Sequence, residues 1–268
     1  MASSGVSTGV AASAAWRHDL RVLGLVLLVS TAALVTALYV LIVSALSDAE
    51  WEQLHLPTSL EAAQRLGDAL QSFARKKPTQ LMLAHACCYL YLQTFAIPGT
   101  VFFNLLGGAL FGISLGFPLC LTYNTLGSVF MYLLSRRFGK RIVLHFFQGR
   151  LAQLKEMIDA HRDDLALYMV FLRVFPFTPN WFINMASPHL DIPLLQFSIG
   201  PAIGLIPYNF LSCKAGLILK ELRSKGDIID TSTTIQLVIV AIVGAVLLPK
   251  LKARFASKKD SKEVNKAD

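Results

Sequence analysis

A guanidinium, a carboxylate and several neutral polar groups lie within the apolar stretch from Phe171 to Pro193, FLRVFPFTPNWFINMASPHLDIP. Arg173 carries paired N–H donors that suit an anion such as a phosphate. The other groups can relay or bind polar atoms, and they are Thr178, Asn180, Asn184 and Asp191. No nucleophile, base and orienter set accompanies them, so an enzyme is the class of protein that the sequence favours least.

Prolines interrupt any helix in this stretch. Proline lacks a backbone N–H and disfavours helix in the residue before it, so Pro176 and Pro179 predict a non-helical corner. Thr178 before Pro179 is typical of an N-cap with proline at the first helical position, which predicts that a short helix restarts there. Irregular backbone at membrane depth is tolerated only where it is buried in protein or lines a wet cavity. The pattern predicts a re-entrant helical hairpin over about 165–192.

The whole chain has the composition of a polytopic membrane protein. Of its 268 residues, 54% are hydrophobic, and the mean hydropathy is +0.54, above the values of soluble domains. The four cysteines and the histidines show no metal-ligand spacing, and no cofactor is expected. The net charge of +8 is interpreted as the excess of basic residues that membrane proteins carry on the cytosolic side, and not as a nucleic-acid-binding surface.

A second pair of helix breakers, Pro98 and Gly99, follows an apolar run that is too short to span a membrane comfortably. The small residues from Gly107 to Gly112 carry the chain onward, and Asn104 precedes them. These features predict another re-entrant hairpin over about 80–112. An offset of 80 residues aligns the two hairpins in three pairs: Phe95 with Phe175, Phe102 with Phe182, and Asn104 with Asn184. Inverted repeats with broken helices are typical of transporters.

The remaining segments complete an all-α layout with about four full crossings, among them 113–134 and 194–219, and an interfacial amphipathic helix over 140–162. The apolar residues that recur at helical spacing in this amphipathic helix are Ile142, Phe146, Leu151, Leu154 and Ile158. In order, the sequence predicts a disordered cytosolic tail over 1–21, a transmembrane helix over 22–46, a lumenal amphipathic linker over 47–78, a core over 79–222, a last transmembrane helix over 233–249 and a basic cytosolic tail over 250–268.

The distribution of lysine and arginine supports this sidedness. The segments assigned to the cytosol hold 2 such residues in 1–21, 7 in 136–164 and 7 in 250–268. The segments assigned to the lumen hold 4 in 47–78 and 3 in 220–231. Basic residues favour the cytosolic side, so both termini are expected in the cytosol and the two hairpins are expected to enter from opposite faces.

The embedded polar residues allow two interpretations each. Arg173 and Asp191 either neutralise each other or contribute to a lipid path. The asparagines either join helices or act as polar relays, and they are Asn104, Asn180, Asn184 and Asn209. Lys214 is expected to extend toward the interface.

Several short motifs resemble the transmembrane protein 41 family of the wider VTT-domain (DedA-like) superfamily. They are FAIPG at 95–99, GGALFG at 107–112, FLR at 171–173, TPNWF at 178–182 and GLIPYNF at 204–210. The resemblance spans about 77–250. It implies a VTT fold with two oppositely oriented re-entrant hairpins that face each other, residence in the endoplasmic reticulum and phospholipid scrambling. Bacterial relatives carry acidic residues near the first loop, and the absence of such residues from FAIPGT puts proton coupling in doubt.

The sequence therefore favours an energy-independent phospholipid scramblase without a cofactor. A secondary transporter of a small anion and a non-transporting assembly factor in lipid mobilisation or autophagy remain the alternatives. The expected partners are membrane phospholipids. The spacing of Gly108, Gly112 and Gly116 also allows a second copy of the chain as a partner. Proteins of autophagy and lipid mobilisation are further candidate partners.

Overall fold

Helices provide the regular structure in a computed structural model that describes residues 4–43, 72–175 and 179–225. The α-helices in these ranges, beside a short helical turn at 72–76, are α1 Ser4–Leu41, α2 Pro78–Thr94, α3 Thr100–Phe138, α4 Lys140–Phe146, α5 Gln148–Asp159, α6 Leu165–Val174, α7 Asn180–Ala186, α8 Leu194–Gly204 and α9 Ile206–Lys225. Three stretches of this part of the chain are long and apolar enough to cross a membrane: Trp16–Leu41, Thr100–Phe138 and Leu194–Glu221. The protein is an all-α membrane protein.

The first helix is longer at its start than the sequence predicted. A disordered tail was expected over 1–21, whereas α1 begins at Ser4 and continues to Leu41. The segment contains no proline, and four of the five residues in 11–15 are alanine, the strongest helix former. The helix can therefore extend from the apolar run toward the N-terminus.

The long helix α3 reverses direction at Gly112, whose backbone adopts φ 72° and ψ 175°. A Cβ atom on Gly116 would clash with the carbonyl oxygen of Gly107, and Sγ of Cys120 lies 3.8 Å from the carbonyl oxygen of Phe103. In a straight helix these pairs would be about 13 Å and 25 Å apart along the axis. The element therefore consists of two antiparallel arms, α3a (100–111) and α3b (113–138).

A break at 95–99 joins α2 to α3a, and the two helices form the first broken pair. Nε2 of His85 in α2 lies 2.9 Å from the carbonyl oxygen of Phe103 in α3a. The break contains two residues with positive φ, Ala96 (φ 55°) and Gly99 (φ 130°), and it lies where the sequence placed it. Because α3b reverses α3a, α3b runs parallel to α2.

A break at 175–179 joins α6 to α7, which form the second broken pair. The Ser135 hydroxyl near the end of α3b donates to the carbonyl oxygen of Met185 at 2.7 Å and lies 3.1 Å from Nε2 of His189. This end of α3b is opposite to Gly112. The two broken pairs therefore approach α3b from opposite ends.

The restart of the second pair differs in detail from the prediction. Pro179, with φ −59° and ψ 128°, occupies the N-cap of α7 and not its first helical position. Its extended ψ keeps it outside the helix, which begins at Asn180. Pro176 and Thr178 lie outside the described residues.

The predicted amphipathic helix over 140–162 is divided at Phe147 into α4 and α5. The expected apolar face of α5 is buried, and it consists of Leu151, Leu154 and Ile158. In α4 the buried residue is Val143, whereas the predicted Phe146 is 55% exposed. The division at Phe147 rotates the buried face of α4 relative to that of α5, so a single helical periodicity over 140–162 does not describe both segments.

The crossing expected over 194–219 consists of α8 and α9, joined at Leu205. The predicted helix over 233–249, the basic tail over 250–268 and most of the linker over 47–78 lie outside the described residues.

Glycines set the closest helix contacts. A Cβ on Gly108 in α3a would clash with the carbonyl oxygen of Cys213 in α9, and a Cβ on Gly204 would lie 2.6 Å from Cβ of Arg173 in α6. The backbones touch because no side chain separates them, as is common between membrane helices.

We expect Gly108→Ala to lower the thermal stability of the purified protein. The added methyl group meets backbone of α9, which cannot move aside locally, and overpacking of this kind costs about 1–3 kcal/mol. Gly149→Ala in α5 is the matched control, because nothing lies within 4 Å of its added Cβ. Thermal unfolding in detergent measures both variants, and equal transition temperatures would contradict the close packing of α3a against α9.

Candidate functional site

Arg173 is a buried cation held by neutral groups. Its side chain, on the last turn of α6, is 5% exposed. Nη2 donates to Oδ1 of Asn184 at 2.7 Å, and Nη1 donates to the carbonyl oxygen and Oδ1 of Asn180 at 3.2 and 3.4 Å. The guanidinium carbon lies 5.2 Å from the ring centroid of Phe197. Nε is buried and donates to nothing among the described residues.

The structure does not pair Arg173 with Asp191. The Asp191 side chain is exposed at a positive φ of 53°, and its carbonyl oxygen accepts from Nη1 of Arg162 at 3.3 Å. Two embedded charges of opposite sign suggested an ion pair from the sequence. The turn after α7 instead turns the carboxylate outward, so the described surroundings of Arg173 leave its charge uncompensated.

The side-chain amide nitrogen of Asn184 links Arg173 to the first broken pair. Nδ2 of Asn184 donates to the Ser128 hydroxyl at 3.3 Å, and Nε2 of Gln93 lies 3.1 Å from that hydroxyl and 3.2 Å from Oδ1 of Asn124. Ser128 and Asn124 are one turn apart on α3b, and Gln93 is near the end of α2. The two broken pairs thus meet at one face of α3b.

The Tyr89 hydroxyl is the hub of the polar groups around the first broken pair. It accepts from Nδ2 of Asn124 at 3.1 Å, donates to Oδ1 of Asn104 at 2.9 Å and faces Oδ1 of Asn209 at 3.4 Å. Nδ2 of Asn104 donates in turn to the Ser212 hydroxyl at 2.9 Å. Tyr89 is fully buried, so α2, α3a, α3b and α9 converge on one phenol.

These bonds form one continuous chain of polar groups, which we term the buried polar network. Its members are Arg173, Asn184, Ser128, Gln93, Asn124, Tyr89, Asn104 and Ser212, with Asn209 beside Tyr89. Buried polar groups are costly unless they are hydrogen-bonded, and networks in a low dielectric polarise one another. The arrangement can bind and pass polar groups, and it contains no pair of groups arranged for bond making.

The structure brings together five of the predicted site residues: Arg173, Asn180, Asn184, Asn104 and Asn209. Sequence reasoning missed another set, Tyr89, Gln93, Asn124, Ser128 and Ser212. A usable signal was present, because several of these lie one helical turn apart within apolar helices. The spacing appears in Tyr89 with Gln93, in Asn124 with Ser128, and in Asn209 with Ser212.

Other predicted site residues have different places. Pro98, Gly99 and Pro179 lie in the two breaks, as expected for residues that interrupt helices. Thr178 and Pro176 lie outside the described residues. Asp191 is at the surface and takes no part in the buried polar network.

Comparison with known proteins identifies the class of this bundle. Residues 97–217, which contain α3a, α3b, the second broken pair and most of α9, match the VTT domain family. The chain is therefore a VTT-domain membrane protein. No solved structure matches the chain.

Curated relatives narrow the class further. The chain is 35% identical over 213 residues to transmembrane protein 41B of Xenopus laevis, covering 78% of this chain and 77% of that protein. It is 34% identical to transmembrane protein 41B of Homo sapiens, covering 78% and 73%. It is 37% identical over 206 residues to a transmembrane protein 41 homolog of Dictyostelium discoideum, covering 77% of this chain and 61% of the relative. The chain belongs to the transmembrane protein 41 family.

We expect Tyr89→Phe to destabilise the protein by about 1–3 kcal/mol, because it leaves buried amide groups without their shared partner. Tyr39→Phe is the matched control, since Tyr39 in α1 is 59% exposed. Thermal unfolding in detergent distinguishes them. A Tyr89→Phe protein as stable as the control would show that the hub contributes nothing to folding.

Proposed function

We propose that this protein is an energy-independent phospholipid scramblase of the endoplasmic reticulum membrane. The observation that carries the proposal is a buried guanidinium with neutral partners, joined to a polar network that links two broken helix pairs inside an apolar bundle. Such a network offers polar head groups a lower barrier than hydrocarbon does. Membrane phospholipids are its partners and substrates.

The two broken pairs act as re-entrant hairpins. Helix α6 has 10 residues and α7 has 7, lengths of about 15 and 10 Å, whereas the hydrocarbon core is about 30 Å thick. Helix α2, with 17 residues, reaches about 25 Å, and α3a about 18 Å. Neither arm of either pair spans the bilayer comfortably, and their opposite entry along α3b gives the inverted arrangement of transporter folds.

The orientation follows from charge. The end of α3b near Arg136 and Arg137, and the helices α4 and α5 beyond it, face the cytosol. Both termini lie on that side, and about four crossings result when the predicted helix over 233–249 is included. Residence in the endoplasmic reticulum follows the family resemblance.

The head group reaches Arg173 from the lipid-facing side. Asn180, whose carbonyl and Oδ1 accept from the guanidinium, is exposed, and the neighbouring Trp181 is 37% exposed. The free Nε of Arg173 and its uncompensated charge suit a phosphate oxygen. The acyl chains remain in the bilayer while the phosphate passes this edge, so the process makes and breaks no covalent bond.

The composition of the network disfavours coupling to a proton gradient. Its members are one arginine and otherwise neutral amides and hydroxyls, and it contains no carboxylate among the described residues. Coupled transporters of the alternative class use titratable groups as relays. An assembly role beside proteins of lipid mobilisation or autophagy would use the charge of Arg173 only to hold α7 against α6.

We expect Arg173→Ala to slow lipid exchange by at least about tenfold, the loss of one charge-assisted hydrogen bond. Purified protein in liposomes with a fluorescent phospholipid and an impermeant quencher measures this rate without any gradient. Wild-type protein should expose nearly all of the label, whereas protein-free liposomes should stop near half.

The control is Lys214→Ala, which removes a half-buried cation of α9 that lies outside the network, and it should leave exchange unchanged. If Arg173→Ala lowers expression and exchange equally, Arg173 is structural. If liposomes that contain folded wild-type protein also expose only about half of the label, the scramblase proposal fails. Gradient-driven transport or partner binding then takes its place.

We also expect Gln148→Cys and Ser72→Cys to be labelled from opposite sides of the membrane in a background without Cys87 and Cys88. Both positions are exposed, and they lie at opposite ends of the bundle. An impermeant maleimide applied to sealed microsomes tests this. Labelling of both from one side would exclude the proposed hairpin orientation.

A further inference from the structure

The part of α1 around Trp16, where its apolar stretch begins, and the helix α4 meet in an aromatic and basic surface that the buried polar network does not use. The Trp16 indole stacks on His145, with ring centroids 4.9 Å apart, and meets Phe146 edge-on at 5.5 Å. The Arg17 guanidinium carbon lies 5.5 Å from the Trp16 ring centroid. We term this surface the basic ledge, and it consists of Trp16, Arg17, Arg21, Lys140, Arg141 and Phe146.

The charge of the ledge is strongly one-sided. Its four cations are all exposed. The acidic group in contact with them is Asp19, whose Oδ1 lies 3.3 Å from Nη1 of Arg141 and 3.8 Å from Nδ1 of His18. This carboxylate pairs with Arg141, one of the four cations, and it cannot neutralise the other three as well. The ledge therefore attracts anions.

Exposed apolar side chains lie beside these cations. Phe146 is 55% exposed and Leu144 is 45% exposed, although both belong to a short helix that buries Val143. Cations beside exposed aromatic and aliphatic groups are the composition of a surface that lies in the head-group region of a bilayer. A soluble acidic partner would not require the exposed phenylalanine and leucine.

The position of the ledge agrees with that composition. It lies where the apolar stretch of α1 begins and just beyond the end of α3b, at the end of the bundle from which the second broken pair enters. Under the proposed orientation this is the cytosolic membrane boundary. The ledge thus lies at the depth of the lipid phosphates.

We infer that the basic ledge binds anionic phospholipid head groups of the adjacent leaflet in preference to zwitterionic ones. The inference rests on the proposed membrane orientation, and it does not require scrambling. The cations supply the electrostatic attraction, and Trp16 and Phe146 insert among the acyl chains beside the bound head group.

Trp16 provides a direct probe. In the full chain with Trp51→Phe and Trp181→Phe, Trp16 is the remaining indole among the three tryptophans. The protein is reconstituted in phosphatidylcholine vesicles that contain phosphatidylserine, with bromine on the acyl chains of one lipid or the other. Brominated phosphatidylserine should quench Trp16 fluorescence at a lower mole fraction than brominated phosphatidylcholine does, and added salt should reduce the difference.

The pair of substitutions Arg17→Gln and Lys140→Gln should remove most of this preference, because each lost charge weakens attraction to an anionic surface by about fivefold. The matched control is Arg75→Gln with Lys76→Gln, two exposed basic residues at the other end of the bundle, and it should keep the preference. Equal quenching by both lipids in the wild type would overturn the inference. The same loss in the control variant would overturn the assignment to the ledge.

These outcomes separate the inference from the scramblase proposal. A lipid preference with no exchange in the liposome assay would keep the ledge and reject scrambling. Lipid exchange together with equal quenching by both lipids would reject only the inference about the basic ledge.

Discussion

The buried charge of Arg173 is the constraint on which the second half of the bundle depends. A guanidinium removed from water must be hydrogen-bonded, and its described partners are two amide side chains and one backbone carbonyl of α7. These bonds fix the position of α7 relative to α6 across the break at 175–179. Asn184 then uses its remaining donor on Ser128 of α3b, so the same residue satisfies the charge and connects the hairpin to the bundle.

The two broken pairs correspond to each other only in part. Phe95 and Phe175 both cap the first arm of their pair, and Asn104 and Asn184 are both buried in the second arm. Both asparagines join the buried polar network, from opposite ends of α3b. The third aligned pair differs, because Phe102 is 69% exposed and Phe182 is 3% exposed. The repeat is therefore retained at the capping phenylalanines and at the asparagines, and it is relaxed at Phe102 and Phe182.

Close backbone packing and the polar network support each other. The absence of a side chain at Gly127 lets Gln93 of α2 lie against α3b, where its amide reaches Asn124 and Ser128. Gly204 similarly allows α8 to lie against the Cβ of Arg173. Larger residues at these positions would separate the helices and lengthen hydrogen bonds that hold polar groups at membrane depth. Specificity of the fold thus comes from small residues and amides, and not from apolar packing alone.

Local chemistry in the sequence determined the membrane class, both helix breaks and five residues of the site: Arg173, Asn180, Asn184, Asn104 and Asn209. Proline and glycine act on neighbouring residues. The apolar content and the order of charges along the chain can be evaluated without knowing which segments are in contact. Tertiary structure alone decided that Asp191 faces outward, that α3 doubles back at Gly112, and that Tyr89, Gln93, Asn124, Ser128 and Ser212 complete the network. The one-turn spacing of polar residues marks candidates on apolar helices, but it does not show which of them bond to one another. That depends on which helix lies opposite, as for Tyr89 with Asn124, 35 positions apart, and Tyr89 with Asn209, 120 positions apart.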